Sequence, residues 1–116
     1  MDPIIATAPG LALRGIAMAQ LGDLVRAKGL LKRAARAFGP KRAVSRARCR
    51  VAEAEIALVS RDLSWPAETL TSAWQTLEHH GDSINAAHAR HLEIRRLLLI
   101  GRLGDAEHAL CSVNPA

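Results

Sequence analysis

Tyrosine is absent from this chain, and one Phe and two Trp make up all of its aromatic content. The 49% of residues that are hydrophobic are therefore mostly Ala, Leu, Val and Ile, and Ala and Leu are strong helix formers. Strand formers are sparse and no segment alternates apolar with polar for long, which excludes a sheet-built fold. Cysteine is scarce too: Cys49 and Cys111 stand far apart with no C-x-x-C spacing. Neither a disulfide framework nor a zinc site is expected from such usage, and a reduced, cytoplasmic setting is the default. No apolar run is longer than "LLLI" at residues 97–100, far short of a membrane span. The opening "MDPIIATAPG" lacks a positive n-region and is not expected to be a secretory signal. A soluble chain of 116 residues is one domain, large enough to bury a core without staples.

Acidic residues are missing from one stretch altogether. From Arg26 to Arg50 the chain carries ten Lys or Arg and no Asp or Glu. Residues 1–50 hold eleven basic and two acidic side chains, a net +9, whereas residues 51–116 hold five and nine, a net −4. Such asymmetry calls for an acidic partner, or for one half of the chain packing on the other.

What is present reads as helices. Pro9 and Gly10 precede an apolar segment at about 11–22, leaving 1–10 as a tail. Asp23 is placed to cap the next helix, Leu24 to Phe38, whose Leu24, Ala27, Leu30, Leu31, Ala34 and Phe38 form one stripe. "GP" at 39–40 ends it. A third helix, from Lys41 to about Ser60, has two apolar faces. Ala43, Val44, Ala47, Val51, Ala54 and Leu58 make one face, and Cys49, Ala52, Ile56 and Val59 make the other, so it should be packed on both sides. A fourth helix, entered through Pro66, runs to about His80 and buries Ala67, Leu70, Trp74 and Leu77. Ser83 caps a fifth helix through Ile100, and "AEHALCSV" begins a sixth that stops early, as a fragment or an end that pairs with another copy would.

The helices pair into hairpins at about 11–38, 41–80 and 83–113, within a single domain spanning 11–113. Asp23, Asp62 and Asp105 mark the hairpin turns at spacings of 39 and 43 residues, a period that points to a helical repeat array. In the first hairpin Gly15, Met18, Gly22-Asp23, Ala27, Leu31 and Ala34 follow the small-and-large order of the tetratricopeptide (TPR) repeat, without its aromatics. The third gives Leu97, Gly101 and Ala106; the second departs, with Arg61-Asp62 in place of Gly-Asp, then Ala67 and Trp74. The chain thus resembles a TPR-like repeat. "RRLLLIGRLGDAEHAL" is similar to the longer Ala/Leu-rich arrays of bacterial LuxR-type transcription regulators, including the maltose-activator group. The resemblance implies an all-α fold of three antiparallel hairpins stacked as a right-handed solenoid. It also implies an inner surface lined by the first helix of each hairpin, and a role in protein binding.

Candidate chemistry is sparse. His88 and His91 stand at i, i+3, but without a third ligand or an H-E-x-x-H pattern no metal is expected. His79 and His80 suit a helix C-terminus. No nucleophile elbow, phosphate loop or neighbouring Cys-His pair occurs, and Glu53 and Glu55 point to different sides of their helix, so no enzyme and no cofactor are expected. The basic surface of Arg26, Lys28, Lys32, Arg33, Arg36, Lys41 and Arg42 has the charge to meet phosphates but no interleaved aromatics and no helix-turn-helix. It is read first as a solvated helix face, next as a site for an acidic protein, and last as a nucleic-acid surface. Trp74 falls on a core stripe. Trp65, at a turn, is either an exposed anchor or a staple over the helix start. Arg14, Arg46, Arg50, His91 and Arg95, with Trp65, are the candidate partner-binding residues. The expected function is a protein-interaction or oligomerisation module of a bacterial transcription regulator, binding an acidic protein or a second copy as a homodimer. A nucleic-acid binder and a small-effector sensor are the alternatives.

Overall fold

A computed structural model describes residues 8–101 and 108–111. Five α-helices follow one another: α1 Ala8–Gln20, α2 Leu24–Phe38, α3 Ala43–Val59, α4 Ala67–His79 and α5 Ser83–Leu99, with a 3-10 turn at Pro40–Arg42 before α3. Residues 108–111 are also helical, and no strand occurs among the described residues. Residues 1–7 of the expected tail 1–10, the Asp105 turn with Ala106, and half of the short sixth helix lie outside them.

The helix ends have specific chemical causes. Gly22, Arg61 and Gly81 each take a left-handed conformation, with φ of 87°, 59° and 78°. After each comes an Asp whose backbone N–H donates back to a carbonyl five residues earlier: Asp23 to Met18, Asp62 to Ala57 and Asp82 to Leu77. One Schellman-type turn is thus used three times. Asp23 then accepts from the Arg26 N–H and Asp82 from the Asn85 N–H, each capping the helix it precedes. Asp82 takes the capping role that Ser83 was expected to fill, because Ser83 is already the first helical residue. Asp62 does something else: it accepts from the backbone and hydroxyl of Ser64, holding the longer loop into α4. Gly39, at φ 68°, closes α2 as the sequence implied. At the other end the chain is helical from Ala8 rather than Leu11, since Pro9 has no N–H to leave unpaired and suits a first turn.

The helices pack chiefly on their neighbours in sequence, in a body of 49 × 29 × 19 Å. Its thin dimension equals about two helix diameters of ~10 Å, so the helices form two layers. The second helix buries the stripe the sequence marked, with Ala27, Leu30, Leu31, Ala34 and Ala35 out of solvent. The third is the hub. Its Ala47, Val51, Ala54 and Ala57 join Leu70, Leu77, Ala86 and Leu92 from α4 and α5. Its Cys49 sits with Leu11, Leu30 and Ala34, and its Ile56 with Ala27 and Leu31. Two-sided burial of α3 is what its two apolar faces predicted, although Val59 at its end stays exposed. In α4 the buried set is Leu70, Ala73 and Leu77. Ala67 turns out exposed and Trp74 half-buried.

Polar contacts stitch the layers at a regular offset. Lys28 pairs with Asp62, Arg48 with Asp82 at 2.8 Å, and His88 with Glu55 at 2.8 Å. Arg96 donates to the Leu63 and Trp65 carbonyls at 2.9 and 3.1 Å. The first three of these links join residues 33 or 34 apart. Between α4 and α5, the Arg90 guanidinium lies 4.2 Å from the Trp74 ring centroid, and the Trp74 indole N–H donates to Glu93, a cation–π contact reinforced by a hydrogen bond.

Candidate functional site

On α3, Ala43, Arg46, Ala47, Arg50 and Glu53 recur at helical spacing and share one edge. On α4, Thr69, Ser72, Ala73 and Thr76 do the same. Between these edges, with Lys32 of α2 and Pro40 at one side, lies an open groove of about 630 Å³ whose inner end is Trp65 and Glu53. The small side chains of Ala43, Ala47 and Ala73 keep it open, because nothing on α3 or α4 at those positions reaches across.

Glu53 is the only charged side chain fully buried among the described residues, at 0% exposure. One of its oxygens accepts from the Arg50 guanidinium at 2.9 Å, and the other has no hydrogen-bond partner. Burial pushes its carboxyl above the ordinary carboxylate range, against the opposing pull of Arg50, the Trp65 indole and Lys32. A buried carboxylate with one satisfied oxygen is costly to keep charged, and its contact with the Arg50 guanidinium offsets part of that cost. The same burial raises the neighbouring Cys49 thiol to about 11, which makes it an inert core residue.

The basic stretch now divides in two. Arg26 pairs with Asp23, Lys28 with Asp62, Arg48 with Asp82 and Arg50 with Glu53. Three of those four acids come from the acidic half of the chain, so the two halves do neutralise one another in part. Lys28 and Ser64 together draw the Asp62 carboxyl down to about 2. The Asn85 amide and Arg48 lower that of Asp82. The other six cations, Lys32, Arg33, Arg36, Lys41, Arg42 and Arg46, form no ion pair among the described residues. Of these, Lys32 and Arg46 line the groove beside Arg50, whereas Arg42 borders a separate recess with Ala37 and Phe38.

Of the residues the sequence singled out, Arg46, Arg50 and Trp65 meet in this groove, together with Lys32 from the basic surface. Trp65 is 5% exposed; the exposed-anchor reading therefore fails, and the ring serves as core beneath the loop that Arg96 ties down. Arg14 on α1 and His91 on α5 are exposed and apart from the groove. Arg95 borders a different recess, with Leu58, Val59, Leu98 and Leu99. His88 faces Glu55 rather than His91, and His80 bonds its ring to the Thr76 carbonyl at the end of α4. No group of three or more His, Cys, Asp or Glu able to hold a metal occurs among the described residues. Sequence reasoning missed Glu53 and the Thr69–Ser72 edge. The available signal was that position 53 lies one turn beyond Arg50 on the Arg46–Arg50 row. No described helix is long and apolar enough to cross a membrane.

Comparison with known protein families, curated proteins and solved structures finds no match.

Proposed function

We propose that this chain is a TPR-like helical-repeat module that binds proteins, in the service of a bacterial transcription regulator, and that its partner presents an acidic surface. The observation that carries the reading is the unpaired charge. Lys32 and Arg46, which form no ion pair among the described residues, line an open groove, while Arg26, Lys28, Arg48 and Arg50 are each paired with an acid of the chain. The Asp-bearing turn seen after Gly22 and again after Arg61 supports a repeat, because equivalent turns join the helices of the first two hairpins. The two-sided burial of α3 also supports stacked hairpins. A second copy of the chain is the other candidate partner, with its acidic half meeting these cations.

Parallel titrations with a labelled acidic peptide and a labelled random DNA duplex test the reading. Peptide binding that persists at about 150 mM salt, with DNA binding lost there, supports it. Micromolar DNA binding at that salt, falling steeply as salt rises, replaces it with a nucleic-acid binder. Sedimentation equilibrium reports whether the partner is a second copy.

A further inference from the structure

We infer that the groove between α3 and α4 is the docking site itself, and that its occupant is a short extended acidic segment of the partner protein. This rests on the protein-interaction reading above. Along α3 the groove runs from Ala43 to Glu53, a rise of about 15 Å at helical geometry. An extended chain covers that distance in about four or five residues. The two walls differ in chemistry. Lys32 and Arg46 stand on one wall and form no ion pair among the described residues, and Arg50 beside them is held by Glu53. On the α4 wall, the hydroxyls of Thr69 and Ser72 make no hydrogen bond within the described residues, unlike those of Thr71 and Thr76, which are spent on Glu93 and the Ser72 carbonyl. One wall thus offers charge to carboxylates, and the other offers hydroxyls to a main chain.

A nucleic acid fits this groove less well. Its single aromatic, Trp65, is buried and presents no face for base stacking. Glu53 and Glu68 also line it and would stand against phosphates. In a peptide the exposed Glu68 carboxylate can accept a main-chain N–H group. Glu53 acts here as a positioning residue: by taking one edge of the Arg50 guanidinium, it fixes the direction of the remaining donors.

The experiment is fluorescence anisotropy at about 150 mM salt, using a labelled peptide of five Glu flanked by Gly-Ser. Arg46→Glu and Lys32→Glu are each expected to weaken binding at least about tenfold, which is ~1.4 kcal/mol. Arg46→Lys should keep most of the affinity. Arg33→Glu makes the same charge change on an exposed cation outside the groove, and should stay within about twofold. Thermal melts of Arg46→Glu and Arg33→Glu matching the parent confirm that folding is not the cause, as expected for exposed positions. Equal losses in Arg46→Glu and Arg33→Glu would overturn the groove while leaving a diffuse acidic-partner surface intact. Displacement of the peptide by duplex DNA at equal charge also overturns it. A parent protein that binds no acidic peptide sinks the interaction reading as well.

Discussion

Gly15 and Gly29 both sit inside helices, yet adding one methyl to each should move stability in opposite directions. In an exposed helix interior, Gly→Ala gains about 1 kcal/mol from backbone entropy and helix propensity. Gly29 meets that condition: a Cβ placed there has nothing within 4 Å. At Gly15 the same atom would lie 2.9 Å from Leu31 Cγ, 3.2 Å from its Cδ2 and 3.3 Å from the Ala27 carbonyl. Leu31 is 1% exposed and enclosed by α1, α2 and α3, so it has little room to yield. Overpacking of this kind costs about 1–3 kcal/mol, which cancels or outweighs the backbone gain. The expected outcome is Gly29→Ala more stable by about 1 kcal/mol and Gly15→Ala neutral to about 2 kcal/mol less stable, in urea unfolding followed by helical circular dichroism. Leu31→Ala costs about 2–5 kcal/mol by itself, but it removes the obstructing atoms. In that background Gly15→Ala should turn stabilising, a coupling of about 1 kcal/mol or more. If Gly15→Ala stabilises the parent as much as Gly29→Ala does, α1 is not seated on Leu31 and the packing argument fails.

Three further outcomes follow from single residues. Arg61 occupies the left-handed turn position that Gly22 and Gly81 hold elsewhere, so Arg61→Gly should raise stability by about 0.5–1 kcal/mol; a lower urea midpoint would contradict the strain. Cys111 is exposed and Cys49 buried with its thiol raised to about 11, so a thiol reagent at pH 8 should titrate one cysteine in the native protein and the second only on unfolding. Glu53 and Asp62 should oppose one another in a pH series. Burial raises the folded carboxyl of Glu53 above 4.5, so the folded state holds a proton that the unfolded state releases, and stability falls as pH rises past that value. The Asp62 carboxyl is lowered from 3.8 to about 2, so its contribution is lost as pH falls through that window. Glu53→Gln should flatten the decline above pH 4.5 and leave the acid limb in place; an unchanged slope there would mean Glu53 is not the titrating group.

The first five helices, the stripe on α2 and the double face of α3 were legible because burial of Ala and Leu at period 3.6 leaves a pattern no polar contact can disguise. Caps were legible where one residue type serves one geometry, as Asp23 and Gly39 do. Ser83 was misjudged because Ser and Asp both cap, and only the turn's backbone bonds decide which residue stands at the boundary. Trp65 was ambiguous for a different reason. It follows a turn whose Asp62 binds Ser64 and whose carbonyls are held by Arg96, 33 and 31 residues away in the Leu63 and Trp65 links. No local spacing announces such a tie. Glu53 was missed because burial of a carboxylate depends on what three helices leave room for, not on its own neighbours in sequence.

The acid-free stretch is the feature on which function turns, and structure changes the question it poses. Taken as ten charges, it left a solvated helix face, an acidic protein partner and a nucleic acid all open. Four of the ten meet acids of the same chain, and two of those pairings, Lys28 with Asp62 and Arg48 with Asp82, join separate elements, so that part of the charge belongs to the fold. An exposed pair such as Arg26 with Asp23 contributes little to stability, ~0–1 kcal/mol. The remaining six form no ion pair among the described residues, and two of them, Lys32 and Arg46, stand on the wall of the groove. Opposite them stand the hydroxyls of Thr69 and Ser72, so the proposed acidic segment would meet charge on one wall and hydrogen-bonding groups on the other. Carboxylates brought there would supply acceptors to Lys32 and Arg46. Binding there should therefore stabilise the folded chain as well as occupy it, and the melting temperature in the presence of acidic peptide should rise with peptide concentration.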